Sequence, residues 1–340
     1  MGKIMRIKSI ILGTCGLALS AGAAFAQDLT ISLWGGGYVE AFRKAVVEPF
    51  EKANGVSVTL DSGIASERLA KLLATGGRGT DLVYFTDYQM AELAKRGLLQ
   101  PVDAGALENA ASIKDFAKDP LGGGLCPAFT VAGVGLAYNS KMIEAPTSWA
   151  DLFRDDLPGK KGFPEVSISD GPLMIAKVAE MEGGSLDDTD AGFDKIAAAK
   201  DKLQIYSGRE VLDSINQGDV SLSSHLNIFI RKDDSVPLRF VFPKEGGIAV
   251  LNMVCVMKDA KNKELAQKFI DFHLSKEVQE AMLSAQGEST VRSDVAPPED
   301  SKFNVISPED MEKLRFFDVN KIVENRAGWI EEWQEKVIAE

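Results

Sequence analysis

Apolar and polar positions along this chain follow two rhythms, and the switches between them predict its elements. Leu29 to Leu33 reads as a strand, which Gly35-Gly36-Gly37 ends. Phe42, Val46, Val47 and Phe50 then recur at helical spacing and predict a helix over 39–54. A strand over 56–60, a helix over 67–74 and a strand over 80–85 follow. Asp87 next caps a helix that runs to Lys95 and closes at Gly97. Three alternations of strand and helix imply a parallel sheet covered by helices.

The pattern then changes. Pro120 to Gly124 is loop, and Phe129 to Tyr138 is a β-rich, glycine-containing segment suited to cross between lobes. Ser148 caps a helix beginning SWADL, with Trp149 in the core. A second alternating block covers 162–242. It holds a strand, helices over 172–183 and 191–202, a strand over 203–206, a helix over 209–216 and a strand over 219–224. At Gly246-Gly247 the backbone breaks, an apolar strand follows, and Phe269, Ile270, Phe272 and Leu274 share a helix face. The tail over 308–340 reads as helical, with Trp329 and Trp333 one turn apart as core anchors.

Residues 1–26 have the form of a secretory signal. Lys3, Arg6 and Lys8 make a basic start, Ser9 to Leu19 an apolar run, and Ala24-Phe25-Ala26 a cleavage site after Ala26. Cys15 follows Thr14 inside that run, which argues against a lipid tether. The remaining 27–340 exceed one comfortable core. Two α/β lobes are expected, each a mainly parallel sheet flanked by helices, with a hinge between them. Their expected spans are 27–131 with 249–297, and 132–248 with 298–340.

The chain's net charge is −12, and loss of the signal removes three further positive charges. Such an acidic surface disfavours nucleic acid, whose phosphates need a basic patch. Cys126 and Cys255 stand either as a disulfide, which an exported protein permits, or as two buried thiols. His225 and His273 lie in different contexts and suggest no metal site; no cofactor is expected.

Trp34 after the first strand, TDLVYFTDY over 80–88, GVGLAYN over 133–139, TSWADL over 147–152 and FPKEGG over 242–247 resemble the periplasmic spermidine/putrescine-binding family. That resemblance covers nearly the whole mature chain. It implies a two-lobed periplasmic binding protein that holds a small nitrogenous solute between its lobes. It further implies delivery to an inner-membrane ABC permease, with no chemistry performed, by a protein expected to be a monomer. The family sandwiches a methylene chain between aromatic rings and holds amino groups with carboxylates. Trp34, Tyr38, Thr86 and Tyr88 fall on its first-lobe positions. Asp87 between them is either a ligand acid or a plain helix cap.

The second-lobe positions depart from the family. Asn252 stands where an acid is expected, and Val250 where an aromatic is. Ser169 and Pro172 replace paired acids, with Asp170 one step away, and Leu226 followed by Asn227 replaces another aromatic. An ammonium buried without its partner costs several kcal/mol, so a polyamine loses ground. Arg209, in YSGRE at a strand end, is either a surface helix-start residue or a carboxylate clamp. The clamp would favour a zwitterion such as an amino acid or 4-aminobutyrate. A secreted enzyme is the distant alternative, since no GxSxG or HExxH is present. Nor is there a Tyr-Tyr pair for ferric iron.

Overall fold

The computed structural model describes residues 28–339, so the signal segment and its cleavage site lie outside the described residues. Among them are eleven strands, all in one sheet. These are β1 (Asp28–Trp34), β2 (Ser57–Gly63), β3 (Leu82–Thr86), β4 (Leu99–Gln100), β5 (Ala128–Asn139) and β6 (Lys160–Pro164). They continue with β7 (Leu203–Tyr206), β8 (Val220–Leu226), β9 (Leu238–Val241), β10 (Ile248–Met257) and β11 (Ser289–Thr290). The main order is β2-β1-β3-β10-β5-β8-β6-β7, with β4 on β10 and with β9 and β11 on β5.

The two lobes are visible in the packing. One core gathers Leu29, Ile31, Phe42, Phe50, Phe85 and Phe129 with the far part of β10 and with Phe269 and Ile270. A second gathers Val134, Leu136, Trp149, Phe163, Met174 and Phe193 with Trp329 and Trp333. Both tail tryptophans are buried anchors, as their spacing suggests, and Trp333 stacks on Phe163 at 6.0 Å. Tyr88 and Ala91 belong to the second core, because helix Asp87–Lys95 lies against helix Val319–Trp333.

Among the described residues the chain passes between the cores along β5, along β10 and through the segment near Arg315. There the Arg315 N–H donates to the Gly247 carbonyl at 2.8 Å, and its own carbonyl accepts from the Ala249 N–H at 2.9 Å. Cys126 and Cys255, at the lobe-one ends of β5 and β10, form a disulfide. Asn227 braces the crossing: its Oδ1 accepts the Gly133 N–H at 2.9 Å and its Nδ2 donates to the Asn304 carbonyl at 2.6 Å.

Two local departures from the hydrophobic pattern have plain causes. The expected helix over 39–54 runs from Gly37 but turns π-helical over Arg43–Val47. Pro49 has no N–H to give the carbonyl four residues back, and a wider turn accommodates the break. The SWADL helix is a single 3-10 stretch, Trp149–Phe153, whose capping box is complete at Ser148 and Asp151. It is short because Trp149 is pinned: its Nε1 donates to the Gly246 carbonyl at 3.0 Å. The Lys244 N–H also donates to the Thr147 carbonyl at 2.9 Å, so TSWADL and FPKEGG are one contact.

Replacing both Cys126 and Cys255 by Ala is expected to lower the unfolding free energy by about 2–5 kcal/mol, since the bond closes a long loop. Asn227→Ala is expected to cost about 2–3 kcal/mol, because a buried donor and a buried acceptor both lose their partner. Urea unfolding of each variant measures both effects.

Candidate ligand-binding site

Strand polarity locates the site. β1, β2 and β3 run parallel to one another, as do β6, β7 and β8. The antiparallel pairings through β10 and β5 set the two groups in opposite directions, so their carboxyl ends face each other. Thr86 ends β3 opposite Asn252, which is opposite Thr130. Leu226 ends β8 opposite Val134, which is opposite Ile248. Residues 130–134 therefore span a strip of ~13 Å, at ~3.3 Å per residue, over which loops from both lobes meet. Open α/β sheets bind ligands at such carboxyl ends.

On the first bank, Gly36 turns the chain at φ 70° after Trp34, and Tyr38 enters in the opening turn of the next helix. The Trp34 and Tyr38 rings meet edge-on at 5.4 Å, and Tyr38 stacks on Phe42 at 5.8 Å. The Tyr38 hydroxyl is buried and has no hydrogen-bond partner among the described residues. Burial pushes its pKa well above the usual range, and the charge of Glu288 adds to this. Neighbouring Tyr84 bonds His273 Nδ1 at 2.9 Å. Arg68 is also here, donating to Ser32 Oγ at 3.0 Å and to the Tyr84 carbonyl at 2.7 Å, its guanidinium 4.2 Å from the Phe85 ring.

Thr86, Asp87 and Asn252 are engaged by the protein itself. The Thr86 hydroxyl donates to Gln89 Oε1, and Asn252 Nδ2 donates to Thr130 Oγ1, at 3.0 and 2.9 Å. Asp87 continues the β3–β10 register, and its carboxylate takes the place of the next ladder carbonyl. Oδ2 accepts the Leu251 N–H at 3.2 Å and Oδ1 the Tyr88 N–H at 2.9 Å. Burial pushes its pKa up to about 6 despite those bonds. With Leu173, Ala249, Leu251 and Phe317 it lines a cavity of about 170 Å³. Strand alternation turns Ala249 and Leu251 away from the face that carries Val250 and Asn252.

On the second bank, Asp170 stands buried at the start of helix Gly171–Met181. The Tyr206 hydroxyl lies 2.9 Å from its Oδ2 and 2.7 Å from the Ser224 carbonyl. Burial raises the Asp170 pKa, with the charge of His225 and the bond from Tyr206 opposing the rise. The His225 ring stacks on Tyr206 at 5.5 Å, and Phe229 meets His225 edge-on at 5.7 Å. The exposed Arg209 holds its guanidinium 5.3 Å from the Phe229 ring.

The expected residues thus fall into groups. Trp34 and Tyr38 form one wall; Asp170 and Arg209 belong to an aromatic stack on the other. Tyr88 is buried in the seam, its pKa pushed up to about 12 by burial, with Arg326 opposing and Asp170 adding to the rise. Asn227 is a fully buried strut. Sequence reasoning missed Tyr206, His225, Phe229 and Glu288, because a lone aromatic, histidine or glutamate carries no spacing signal. Among the described residues no cluster of acid, cysteine and histidine side chains suits a metal, and no helix is long and apolar enough to cross a membrane.

Comparison with known proteins agrees with this geometry. Residues 45–309 match the model of the bacterial extracellular solute-binding protein family. The chain is 24% identical over 339 residues to the spermidine/putrescine-binding periplasmic protein of Escherichia coli, covering 96% of this chain and 93% of that one. It is 29% identical over 281 residues to the gamma-aminobutyric acid-binding protein of Pseudomonas aeruginosa, covering 77% and 76%. The crystal structure of an ABC transporter from Clostridium perfringens superposes with a TM-score of 0.81 at 26% identity, over 91% of this chain and 99% of that one. A family match over that span, on a two-lobed sheet whose strand ends face one another, makes this chain a member of the bacterial extracellular solute-binding proteins.

Proposed function

We propose that this protein captures a small amine-bearing solute between its lobes in the periplasm and passes it to an inner-membrane ABC permease. The signal segment, cut after Ala26, would export it, and it would act as a monomer that performs no chemistry. The lobes would be 27–131 with 249–297 and 132–248 with 298–340, closing about the β5–β10 ribbon. A ligand that touches both banks stabilises the closed form by its differential affinity for it.

The observation that carries the choice of ligand is the position of Arg209. It is exposed at the carboxyl end of β7, over Phe229, while the nearby acid Asp170 is buried against Tyr206. The second bank therefore offers a guanidinium, which grips a carboxylate bidentately. Trp34 and Tyr38 offer aromatic faces, which attract an ammonium. A short zwitterion such as 4-aminobutyrate meets both, and the relative from Pseudomonas is named for binding gamma-aminobutyric acid. A polyamine is the second reading, favoured by the relative from Escherichia coli.

Isothermal titration of the mature protein with 4-aminobutyrate and with putrescine tests this. 4-Aminobutyrate is expected to bind more tightly. Arg209→Gln is expected to weaken it roughly 10- to 100-fold through loss of a charged hydrogen bond, leaving putrescine unchanged. Tighter putrescine binding that is indifferent to Arg209 would establish the polyamine reading instead.

A further inference from the structure

We propose that Glu288 is the anchor for the ammonium end of the solute, with the Tyr38 hydroxyl as a second acceptor and Trp34 as the adjoining wall. This rests on the amine reading above and names the group that receives the amine.

The placement follows from the backbone. Helix Lys276–Gln286 ends at Gly287, at φ 69°, where a side chain would collide with Phe303. The chain must turn there, and β11 then pairs Ser289 with Val131 and Thr290 with Thr130. Continued one step, that antiparallel register sets Glu288 opposite Ala132, beside the Gly133 N–H that Asn227 holds. Glu288 thus stands on the strip between the two rows of strand ends.

Among the described residues no cation acts on Glu288. Glu288 is 5% exposed, and its Oε2 is buried without a partner among the described residues. Its charge acts on the hydroxyls of both Tyr38 and Tyr84. Tyr84 already bonds His273, whereas the Tyr38 hydroxyl is unpartnered among the described residues. Arg68 acts on Tyr38 but is not among the influences on Glu288, whose pKa burial alone pushes up to about 8. An acid that acts on two tyrosine hydroxyls, with no positive charge acting on it among the described residues, is arranged for a cation supplied from outside. The ring faces of Trp34 and Tyr38 would add cation–π attraction. Glu288 would also stand in for the acid absent at Asn252.

The proposal has a proton signature. At pH 7 a carboxyl with a pKa near 8 keeps its proton. Binding an ammonium turns the carboxyl into a carboxylate paired with that ammonium and releases the proton to buffer. The groups named beside Glu288 titrate outside this range. Burial raises Tyr38 and Tyr84 well above it, and lowers His273 to about 3 and Arg68 to about 10. Helix Lys276–Gln286 contributes Gln279, whose amide oxygen accepts from Thr290.

The test is isothermal titration of the mature protein and of Glu288→Gln with putrescine and with 4-aminobutyrate, at pH 7 in two buffers of different ionisation heat. The expected result is release of close to one proton per ligand in the native protein. In Glu288→Gln the affinity should fall roughly 30-fold and the proton release should vanish. The variant should melt no lower than the native protein, since an amide replaces an unpaired acid. Amine binding with no proton released, or equal binding by Glu288→Gln, overturns the role of Glu288 while leaving the amine reading standing. Failure of the native protein to bind either amine overturns both.

Discussion

The β5–β10 ribbon holds everything else in place. It is the seam, within one sheet, between two sets of parallel strands that run in opposite directions, and its hydrogen bonds belong to both cores at once. Because antiparallel pairing fixes which residues stand opposite, Thr86, Asn252 and Thr130 form one row and Leu226, Val134 and Ile248 the other. The separation of the banks is therefore a matter of backbone register. A one-residue slip would turn every side chain on the strip to the other face.

Several buried polar groups make sense as supports for that ribbon. Asp87 extends the ladder where β3 ends, Asn227 ties Gly133 to Asn304, and the disulfide joins the lobe-one ends of the two strands. Each satisfies or constrains backbone that would otherwise lie exposed at a bend. Buried amides without partners are costly, so bracing residues of this kind compete with the ligand for the same side chains. Thr86, Asp87 and Asn252 are bonded within the protein, and the proposed recognition therefore rests on the aromatic pair on one bank, on Arg209 on the other and on Glu288 on the strip.

The chemistry of the two banks differs in kind. The first is aromatic, with Trp34 meeting Tyr38 edge-on; the second stacks Tyr206, His225, Phe229 and Arg209. Such asymmetry suits a solute whose ends differ.

Periodicity by itself determined the elements, the α/β class and the burial of Trp329 and Trp333, because alternation and helical spacing are local properties of the backbone, while chain length called for two lobes. Trp34 and Tyr38 are named through the family resemblance; the structure sets Trp34 at the end of β1 and Tyr38 just past the glycine turn. The tertiary structure alone decided the disulfide, the bonding of Asp87 and Asn227, and the company of Glu288. Cys126 lies 129 residues from Cys255, and Asp87 lies 164 residues from Leu251. No local pattern encodes which strands become neighbours or in what register. A pairing of that kind exists only once both cores have closed on the ribbon, and so does the loss of solvent that pushes the Glu288 pKa up to about 8.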